Sequence, residues 1–310
     1  MKNKIVVTGG AGFIGSAFIN HLKDNFECEV LCVDKLTYAG ERKNIKHDVS
    51  FLQKDICDLT EKDLGDFDYI VHFAAESHVD NSIKNGLPFV RTNVEGTFNL
   101  LEISRKNKNL KKFIHISTDE VYGDMDDVPF QNYLANENDG IKPSSYYSAT
   151  KASSDLLVLS ANRTYGLPYL ITRTCNNFGE HQFEEKFLPT IARSIRNESE
   201  VPVYGDGKQI REWMYVYDNV KVICDLMFDE KIKNEIYNIG TNYRCTNIDI
   251  VKKIATIMNK NVNYKNVEDR LGHDKRYGLD SSKLRAYYIH NYGYLPEFMS
   301  LDSFLQKFYS

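Results

Sequence analysis

The chain has 310 residues, of which 42% are hydrophobic and 26% charged, and its formal net charge is −4. This length suits one large α/β domain, or a nucleotide-binding domain with a smaller partner. The charge predicts no binding to nucleic acid, which would need a basic face. No apolar run reaches the ~18 residues of a membrane span, and the N-terminus shows no signal-like segment. We therefore expect a cytoplasmic protein without membrane or nucleic-acid partners.

The cysteines show no pattern that predicts disulfides or a metal site. The six residues are scattered without a CxxC pair, and no histidine lies near Cys28 and Cys32 with the spacing of a zinc knuckle. Buried, reduced thiols of a cytoplasmic protein are the prediction, and no metal is expected.

The first 175 residues alternate short apolar runs with longer stretches of helical periodicity. The runs are rich in β-branched and aromatic residues and cover 5–7, 30–33, 69–73, 113–116 and 169–172. Between them, apolar residues recur at helical spacing, most clearly over 86–106 and 144–163. Strands alternating with helices predict an α/β fold with a doubly wound parallel sheet, a Rossmann domain over 1–175.

The pattern becomes less regular after about residue 175. Aromatic and charged residues mix there, and glycine-containing loops interrupt them. This composition predicts a smaller, mixed α/β domain over 176–310 that caps the sheet and mainly binds substrate. Some of its segments are expected to return to the first domain.

A glycine-rich loop follows the first predicted strand. Its glycines, at 9, 12 and 15, permit a tight turn and a close approach of the backbone to a pyrophosphate, and the following helix offers free N–H groups. A second strand ends about twenty residues later in Asp34, whose carboxylate can accept bonds from ribose hydroxyls and would repel a 2′-phosphate. The motif predicts NAD rather than NADP. Asp55 and Ile56 are expected beside the adenine, although an ordinary loop aspartate would look the same.

Tyr147 and Lys151 are four residues apart, which places them on the same face of a predicted helix. A free tyrosine has a pKa near 10, which makes it a poor base at neutral pH. A cation at i+4 is expected to stabilise the phenolate and lower that pKa. Alone, this spacing also fits a solvated helix face. After a dinucleotide-binding loop, it predicts removal of a hydroxyl proton during hydride transfer to a nicotinamide.

Thr118, Asp119 and Glu120 directly follow a predicted strand. Ligands bind at this carboxyl end in open parallel sheets. Thr118 can hydrogen-bond the hydroxyl that is oxidised. The two adjacent carboxylates exceed what a plain dehydrogenase needs, so they predict an elimination after the oxidation, with a solvated acidic loop as the alternative.

These motifs resemble the nucleotide-sugar 4,6-dehydratases, within the extended short-chain dehydrogenase/reductase superfamily. The resemblance extends to about residue 280 and is carried by the stretches 73–80, 118–123, 147–155, 176–179, 185–186, 203–207, 211–216, 237–240 and 269–274. It implies that Tyr147 takes the C4 hydroxyl proton, assisted by Lys151 and Thr118, while hydride passes to NAD. Glu120 then removes the C5 proton, Asp119 protonates the departing C6 hydroxyl, hydride returns to C6, and C5 is reprotonated.

The resemblance also implies two sets of binding residues and a homodimer formed through the helices of 86–106 and 144–163. The set near NAD is Gly9, Gly12, Phe13, Ile14, Gly15, Asp34, Lys35, Leu36, Thr37, Asp55, Ile56, Ala74, Ala75, Ser77, Thr92, Tyr147, Lys151 and Asn177. The set near the nucleotide sugar is Ser77, Thr118, Asn176, Glu185, Lys186, Arg211, Asn247, Arg270, His273 and Tyr277.

Other functions stay open from the sequence. A nucleotide-sugar 4-epimerase or decarboxylase would use Tyr147 and Lys151 and leave Asp119 and Glu120 without a part in elimination. A non-catalytic NAD-sensing regulator would have no need of all four groups. For the dehydratase, dTDP-glucose is the first choice of substrate and UDP-glucose the second, because one methyl group separates the two bases and discriminates by only ~1 kcal/mol.

Overall fold

The computed structural model describes residues 2–127 and 133–310. Its strands are β1 (Asn3–Thr8), β2 (Cys28–Asp34), β3 (Ser50–Gln53), β4 (Tyr69–His72), β5 (Lys112–Thr118), β6 (Tyr169–Thr174), β7 (Asn176–Phe178), β8 (Val201–Tyr204), β9 (Ile210–Tyr215), β10 (Glu235–Ile239), β11 (Arg244–Thr246) and β12 (Tyr264–Val267). The five strands predicted from apolar runs are all present, and most extend beyond the predicted bounds.

The helices alternate with these strands in the first half of the chain. They are α1 (Phe13–Asn25), α2 (Glu61–Leu64), α3 (Val79–Lys84), α4 (Leu87–Phe89), α5 (Thr97–Ser104), α6 (Tyr146–Tyr165), α7 (Phe187–Arg196), α8 (Val216–Phe228), α9 (Asn247–Ile257), α10 (Ser282–Tyr292) and α11 (Leu301–Tyr309). A π-helical segment, Val90–Gly96, joins α4 to α5. Short 3₁₀ turns cover Arg42–Asn44, Ile56–Asp58, Asp119–Tyr122 and Met125–Asp127.

A parallel sheet of seven described strands is the centre of the fold. Its order is β3-β2-β1-β4-β5-β6-β10, and every neighbouring pair is parallel. Ile5 on β1 pairs with Val30 on one side and with Tyr69 on the other. The strand order therefore reverses between β1 and β4, where ligands bind in doubly wound sheets. The predicted Rossmann-type fold class is confirmed.

Apolar side chains cover both faces of this sheet. On one face, α1 contributes Phe18 and α8 contributes Ile223 to a large buried cluster. On the other, Leu100 of α5 and Val158 of α6 pack against the strands. Burial on both faces explains why the strands read as nearly continuous apolar runs rather than as an alternating pattern.

The second half of the chain both builds a smaller lobe and returns to the sheet. β10 pairs with β6 at the edge of the central sheet, and α8 packs against α1. The smaller lobe contains a mixed sheet, β7-β9-β11, and a parallel pair, β8-β12. Only one residue separates β6 from β7, so the mixed sheet begins at the carboxyl end of the central one. Within the described residues, no helix combines the length and the apolar character needed to cross a membrane.

Candidate active site

One cavity of ≈ 590 Å³ brings the predicted residues together. Its walls come from the carboxyl ends of the central strands and from the smaller lobe. They contain every residue of the set predicted near NAD except Leu36, and every residue of the substrate set except Tyr277. Four of the five predicted catalytic residues also line it, and Asp119 lies just beneath its surface with 3% of the residue exposed.

The glycine loop has room for backbone and nothing more. A Cβ at Gly15 would lie 2.2 Å from the Gly9 carbonyl oxygen. Gly9 has a φ of +70°, and a Cβ there would lie 2.5 Å from the backbone nitrogen of Ala74. Side chains at either position would therefore distort the turn that joins β1 to α1.

The N-terminus of α1 is free to bind an anion. The helix is capped by Gly12, which has no side chain to accept from the first-turn N–H groups, and no acidic residue lies in that turn. This end opens into the cavity beside the glycine loop. A helix terminus of this kind fits a pyrophosphate, as NAD binding requires.

Asp34 and Asp55 have structural partners as well as an open side towards the cavity. Asp34 accepts from the backbone nitrogens of Ala11 and Leu36, at 2.9 and 2.8 Å. Asp55 caps its 3₁₀ turn and forms an ion pair with Lys35 at 2.7 Å. The place of Leu36 near NAD stays a prediction. Leu36 lies outside the cavity wall, in a left-handed conformation with φ 55° in which its amide bonds to Asp34.

Tyr147 and Lys151 lie one turn apart on α6 and face β5. The Lys151 ammonium donates to the Ile116 carbonyl oxygen at 2.6 Å, and burial lowers the pKa of Lys151 to about 8. Burial and the nearby Glu120 carboxylate raise the pKa of Tyr147 above that of free tyrosine, while Thr118 acts in the opposite direction. The predicted lowering of the Tyr147 pKa by Lys151 is therefore wrong for these surroundings, because burial of the hydroxyl dominates.

Asp119 and Glu120 begin the 3₁₀ turn that follows β5. Burial, reinforced by the charge of Glu120, raises the pKa of Asp119 to about 8. Asp119 Oδ1 accepts from the Thr118 hydroxyl at 3.1 Å, whereas Oδ2 is buried without a hydrogen-bond partner in the described part of the chain. Burial also raises the pKa of Glu120, although Arg270 and Arg211 oppose the shift. Two adjacent carboxyls with raised pKa values thus lie side by side, and the two arginines act on Glu120 against the rise.

The smaller lobe supplies a support for Glu120. The Tyr277 hydroxyl lies 3.5 Å from Glu120 Oε2 and donates to Asp274 Oδ2 at 2.6 Å. The Arg211 guanidinium stacks 4.2 Å from the centre of the Tyr277 ring and donates to the Asp274 carbonyl oxygen at 2.8 Å. Tyr277 is buried behind this group and is not part of the cavity wall, so its contact with substrate stays a prediction.

A polar network crosses the far end of the cavity and contains residues that the sequence interpretation missed. The Tyr204 hydroxyl donates to Asp80 at 2.9 Å, and Arg270 lies 3.6 Å from the same carboxylate. His78 lies 3.9 Å from Glu185. Further missed residues in the wall are Glu76, Gln182, Phe183 and Trp213. Two of the stretches that carry the resemblance, 73–80 and 203–207, contain Glu76, His78, Asp80 and Tyr204 and were the available signal.

Trp213 lies on β9 in the wall of this end. It is the chain's one tryptophan, it is buried, and its ring stacks against Phe187 with centroids 6.3 Å apart. Arg211, two residues earlier on the same strand, lines the same wall.

A Rossmann sheet with a free helix terminus, a Tyr–Lys pair and an acidic pair in one cavity defines a class of dinucleotide-dependent enzymes that act on a hydroxyl-bearing substrate. The model of the NAD dependent epimerase/dehydratase family matches residues 5–240. The chain belongs to that family, and the predictions of the extended superfamily and of NAD as cofactor are confirmed.

Two relatives with high similarity carry different descriptions. The low-salt glycan biosynthesis protein Agl12 of Haloferax volcanii is 45% identical over 91% of this chain and 91% of its own. The dTDP-glucose 4,6-dehydratase of Neisseria meningitidis serogroup B is 41% identical over 94% of this chain and 88% of its own.

The similar solved structures include dehydratases and epimerases. The dTDP-glucose 4,6-dehydratase DesIV of Streptomyces venezuelae, solved with NAD bound, has a TM-score of 0.89 at 37% identity, covering 98% of this chain and 95% of its own. The UDP-glucuronic acid 4-epimerase of Bacillus cereus also has a TM-score of 0.89, at 28% identity, with 99% and 98% covered. Overall shape therefore does not separate the two reactions.

Proposed function

We propose that this protein is an NAD-dependent nucleoside-diphosphate-glucose 4,6-dehydratase that converts its substrate to the 4-keto-6-deoxy sugar nucleotide. The observation that carries the proposal is the position of Asp119 and Glu120 in the same site as Tyr147 and Lys151. The dehydratase relatives at about 40% identity over most of the chain support it.

NAD, when bound, supplies the oxidation at C4 and the reduction at C6. The glycine loop and the N-terminus of α1 would hold its pyrophosphate, and Asp34 its adenosine ribose. Tyr147 takes the proton of the C4 hydroxyl, and Thr118 orients that hydroxyl. Lys151 places a positive charge beside the phenolate that forms.

The acidic pair performs the elimination. Because oxidation makes C4 a ketone, the adjacent C5 proton becomes acidic and Glu120 removes it as a general base. Asp119 gives its proton to the C6 hydroxyl, which leaves as water. Its pKa of about 8 keeps this carboxyl protonated at neutral pH, as a general acid requires.

The 4-epimerases are the second candidate, because a 4-epimerase structure matches this fold as well as a dehydratase does. An epimerase needs the Tyr147–Lys151 pair alone. Two buried carboxyls with raised pKa values beside that pair would then have no chemical task, and burying them costs free energy. This cost favours the dehydratase.

Incubation of the purified protein with dTDP-glucose and with UDP-glucose tests the function. The dehydratase produces a 4-keto sugar, which develops a characteristic absorbance in alkali, and the Tyr147→Phe variant should produce none. An inverted C4 hydroxyl without a ketone would establish the epimerase instead. No product from either nucleotide sugar would refute the proposal.

We propose dTDP-glucose as the preferred substrate, on the strength of the dehydratase relatives that carry this name. The residues of the smaller lobe in the cavity wall, among them Asn247, Arg270 and His273, would contact the nucleotide. The ratio of kcat/KM for the two nucleotide sugars decides between the bases, and a ratio in favour of UDP-glucose would reverse the choice.

We also propose a cytoplasmic homodimer. Apolar side chains are exposed on the neighbouring helical segments α4 to α6, including Phe98 at 53% and Leu156 at 57%. A second copy would cover this face in a two-fold arrangement of helices. Among the described residues all six cysteines are free thiols, as a reducing compartment would keep them.

Light scattering during size-exclusion chromatography tests the dimer. The Phe98→Glu/Leu156→Glu variant should elute with the mass of one chain. The control is Ile289→Glu, at a residue that is 52% exposed on α10, and it should leave the mass unchanged. A single-chain mass for the unaltered protein would contradict the proposal.

A further inference from the structure

A buried ion pair lies behind the Tyr147–Lys151 pair and has no part in the chemistry described so far. Asp155, one turn beyond Lys151 on α6, is completely buried. Its Oδ2 accepts from Arg173 Nε at 2.9 Å, and Arg173 on β6 is buried as well. Arg173 in turn donates to the Tyr122 hydroxyl at 2.8 Å, and that hydroxyl donates to Asn238 at 2.8 Å. The carboxylate is therefore fixed in position from three elements.

The second carboxylate oxygen of Asp155, Oδ1, does not accept a hydrogen bond from Arg173. Oδ1 lies 3.4 Å from His115 Nε2 and makes no hydrogen bond of normal geometry to a described residue, although His115 and the Ser117 hydroxyl both act on this carboxylate. Although burial raises its pKa, His115 and Arg173 bring the pKa of Asp155 below the ordinary value, so the group is ionised at neutral pH. A carboxylate with one side held and the other open can stabilise a further positive charge nearby.

Lys151 is the nearby cation that needs such a charge. Its ammonium is fully buried, and the Ile116 carbonyl oxygen, at 2.6 Å, is a neutral partner. The charged or titratable groups that act on it include Asp155, one turn further along α6, His72 on β4 and His115 on β5. Arg173 on β6 and Tyr122 in the 3₁₀ turn reach it through Asp155. Burial lowers the pKa of both histidines, that of His115 to about 4, so both are neutral at pH 7.

Asp155 is therefore the anion among these groups at neutral pH. Arg173 cannot give up its proton, and Tyr122 is held neutral because burial raises its pKa to about 12. Without Asp155, the buried region would hold Arg173 and Lys151 as two cations with no opposing charge. Of these two cations, only Lys151 can become neutral by losing its proton, which would remove the repulsion between them.

We propose that Asp155 is a positioning residue that keeps Lys151 in its ammonium form beside Tyr147, with Arg173 and Tyr122 fixing the carboxylate. The proposal concerns the oxidation step, which dehydratases and epimerases share, and it rests on the proposed function only for its kinetic test. Asp155 touches neither substrate nor cofactor and acts through Lys151.

Direct titration of Lys151 is the first test and needs no substrate. The full-length protein with ¹³C-labelled lysine is titrated by NMR, and the Lys151 signal is identified by its loss in Lys151→Met. The unaltered protein should show a Lys151 pKa of about 8. Asp155→Asn, which keeps the shape and removes the charge, should lower that pKa by at least one unit, as loss of a close buried counter-charge does.

A matched control is available on the same helix. Ser154 is buried next to Asp155, and its hydroxyl donates to the carbonyl oxygens of Asn93 and Thr150 at 2.6 and 2.8 Å. Ser154→Ala disturbs the packing of α6 without changing any charge, so it should leave the Lys151 pKa in place. An equal fall in both variants would overturn the proposal.

If the Asp155→Asn variant does not fold, a second variant tests the same proposal. Asp155→Asn leaves the buried Arg173 unpaired, which is strongly destabilising. The Asp155→Asn/Arg173→Met variant removes both charges and avoids this cost. Because the anion is absent there too, the Lys151 pKa should still fall, by less than in Asp155→Asn because the Arg173 cation is removed as well. An unchanged pKa in whichever variant folds would overturn the proposal.

The kinetic test uses the rate of C4 oxidation in a single turnover, followed as a function of pH. A pKa lower by one unit leaves about fivefold less ammonium at pH 8 and an equal amount near pH 6. Asp155→Asn should therefore be slow at pH 8 and recover at pH 6, whereas structural damage would be slow at both. Should no nucleotide sugar react, the proposed function fails, while the NMR titration still decides the role of Asp155.

Discussion

The Tyr147–Lys151 pair and the Asp119–Glu120 pair lie in one site, yet their protonation depends on different parts of the molecule. Burial lowers the pKa of Lys151, and Asp155 on α6 opposes that fall. Burial raises the pKa of Glu120, and Arg270 and Arg211 of the smaller lobe oppose that rise. The Tyr147–Lys151 pair therefore depends on groups of one lobe, whereas the Asp119–Glu120 pair depends on groups of both lobes.

Lys151 and Asp119 nevertheless lose the protonation states that the proposed reaction needs over the same pH range. Lys151 loses its positive charge above a pKa of about 8, and Asp119 loses its proton above a pKa of about 8. The first change weakens oxidation, because the phenolate loses its neighbouring cation. The second weakens elimination, because the leaving hydroxyl loses its acid. Overall turnover should fall as the pH rises through 8, and only step-resolved measurements can separate the two causes.

Removing the phenol should have the largest effect. Tyr147→Phe deletes the group proposed to take the C4 hydroxyl proton, so the oxidation step should slow by about 10³–10⁴-fold at every pH. Appearance of the reduced cofactor in a single turnover measures that step. A variant that oxidises at near-normal rate would show that another group takes the C4 hydroxyl proton.

Glu120→Gln should separate removal of the C5 proton from oxidation at C4. The amide cannot remove the C5 proton, so exchange of that proton with solvent deuterium should fall by about 10²–10⁴-fold, while oxidation at C4 proceeds. Mass spectrometry of the recovered nucleotide sugar measures the exchange. Normal exchange in this variant would contradict the role of Glu120, whereas no exchange in the unaltered protein would favour an epimerase.

Asp119→Asn should slow the loss of water by about 10²-fold at pH 7, because no acid protonates the leaving hydroxyl. The pH dependence gives the sharper test. In the unaltered protein elimination should decline as the pH rises through about 8, where Asp119 ionises. In the variant that decline should disappear, and its persistence would assign the titration to another group.

Tyr277→Phe should have the smallest effect. The ring that stacks on Arg211 is kept, and only the hydroxyl near Glu120 and Asp274 is lost. One hydrogen bond to a charged group is worth about 1.5–3 kcal/mol at most, and this hydroxyl lies 3.5 Å from Glu120. We expect up to tenfold slower C5 exchange and an unchanged oxidation rate. A slower oxidation would show that the smaller lobe also controls the Tyr147–Lys151 pair.

What the sequence predicted well is what local spacing encodes. The glycines at 9, 12 and 15 lie within one turn, and Tyr147 and Lys151 within one helical turn, so their geometry follows from the element that contains them. Asp119 and Glu120 follow a strand, which fixes their end of the sheet. These features needed no knowledge of distant contacts.

What it predicted poorly depends on contacts between distant segments. Asp80 meets Tyr204 and Arg270 across more than a hundred residues of chain, and Asp155 meets Arg173 on another element. The direction of the Tyr147 pKa shift was wrong because burial, which no spacing reveals, outweighs the cation at i+4. The 86–106 stretch was predicted as a regular helix, and the structure has the π-helical segment Val90–Gly96 in it, where Gly96 packs against Ile56.

The position of Trp213 has a practical consequence. Because the chain has one tryptophan and that residue lies in the wall of the cavity beside Phe187, the indole emission of the whole protein comes from a single known place. Entry of a nucleotide at this end should change that emission, while events confined to the glycine loop should change it less. The protein thus contains an optical reporter of its own substrate end, and binding can be followed without a label or a reaction.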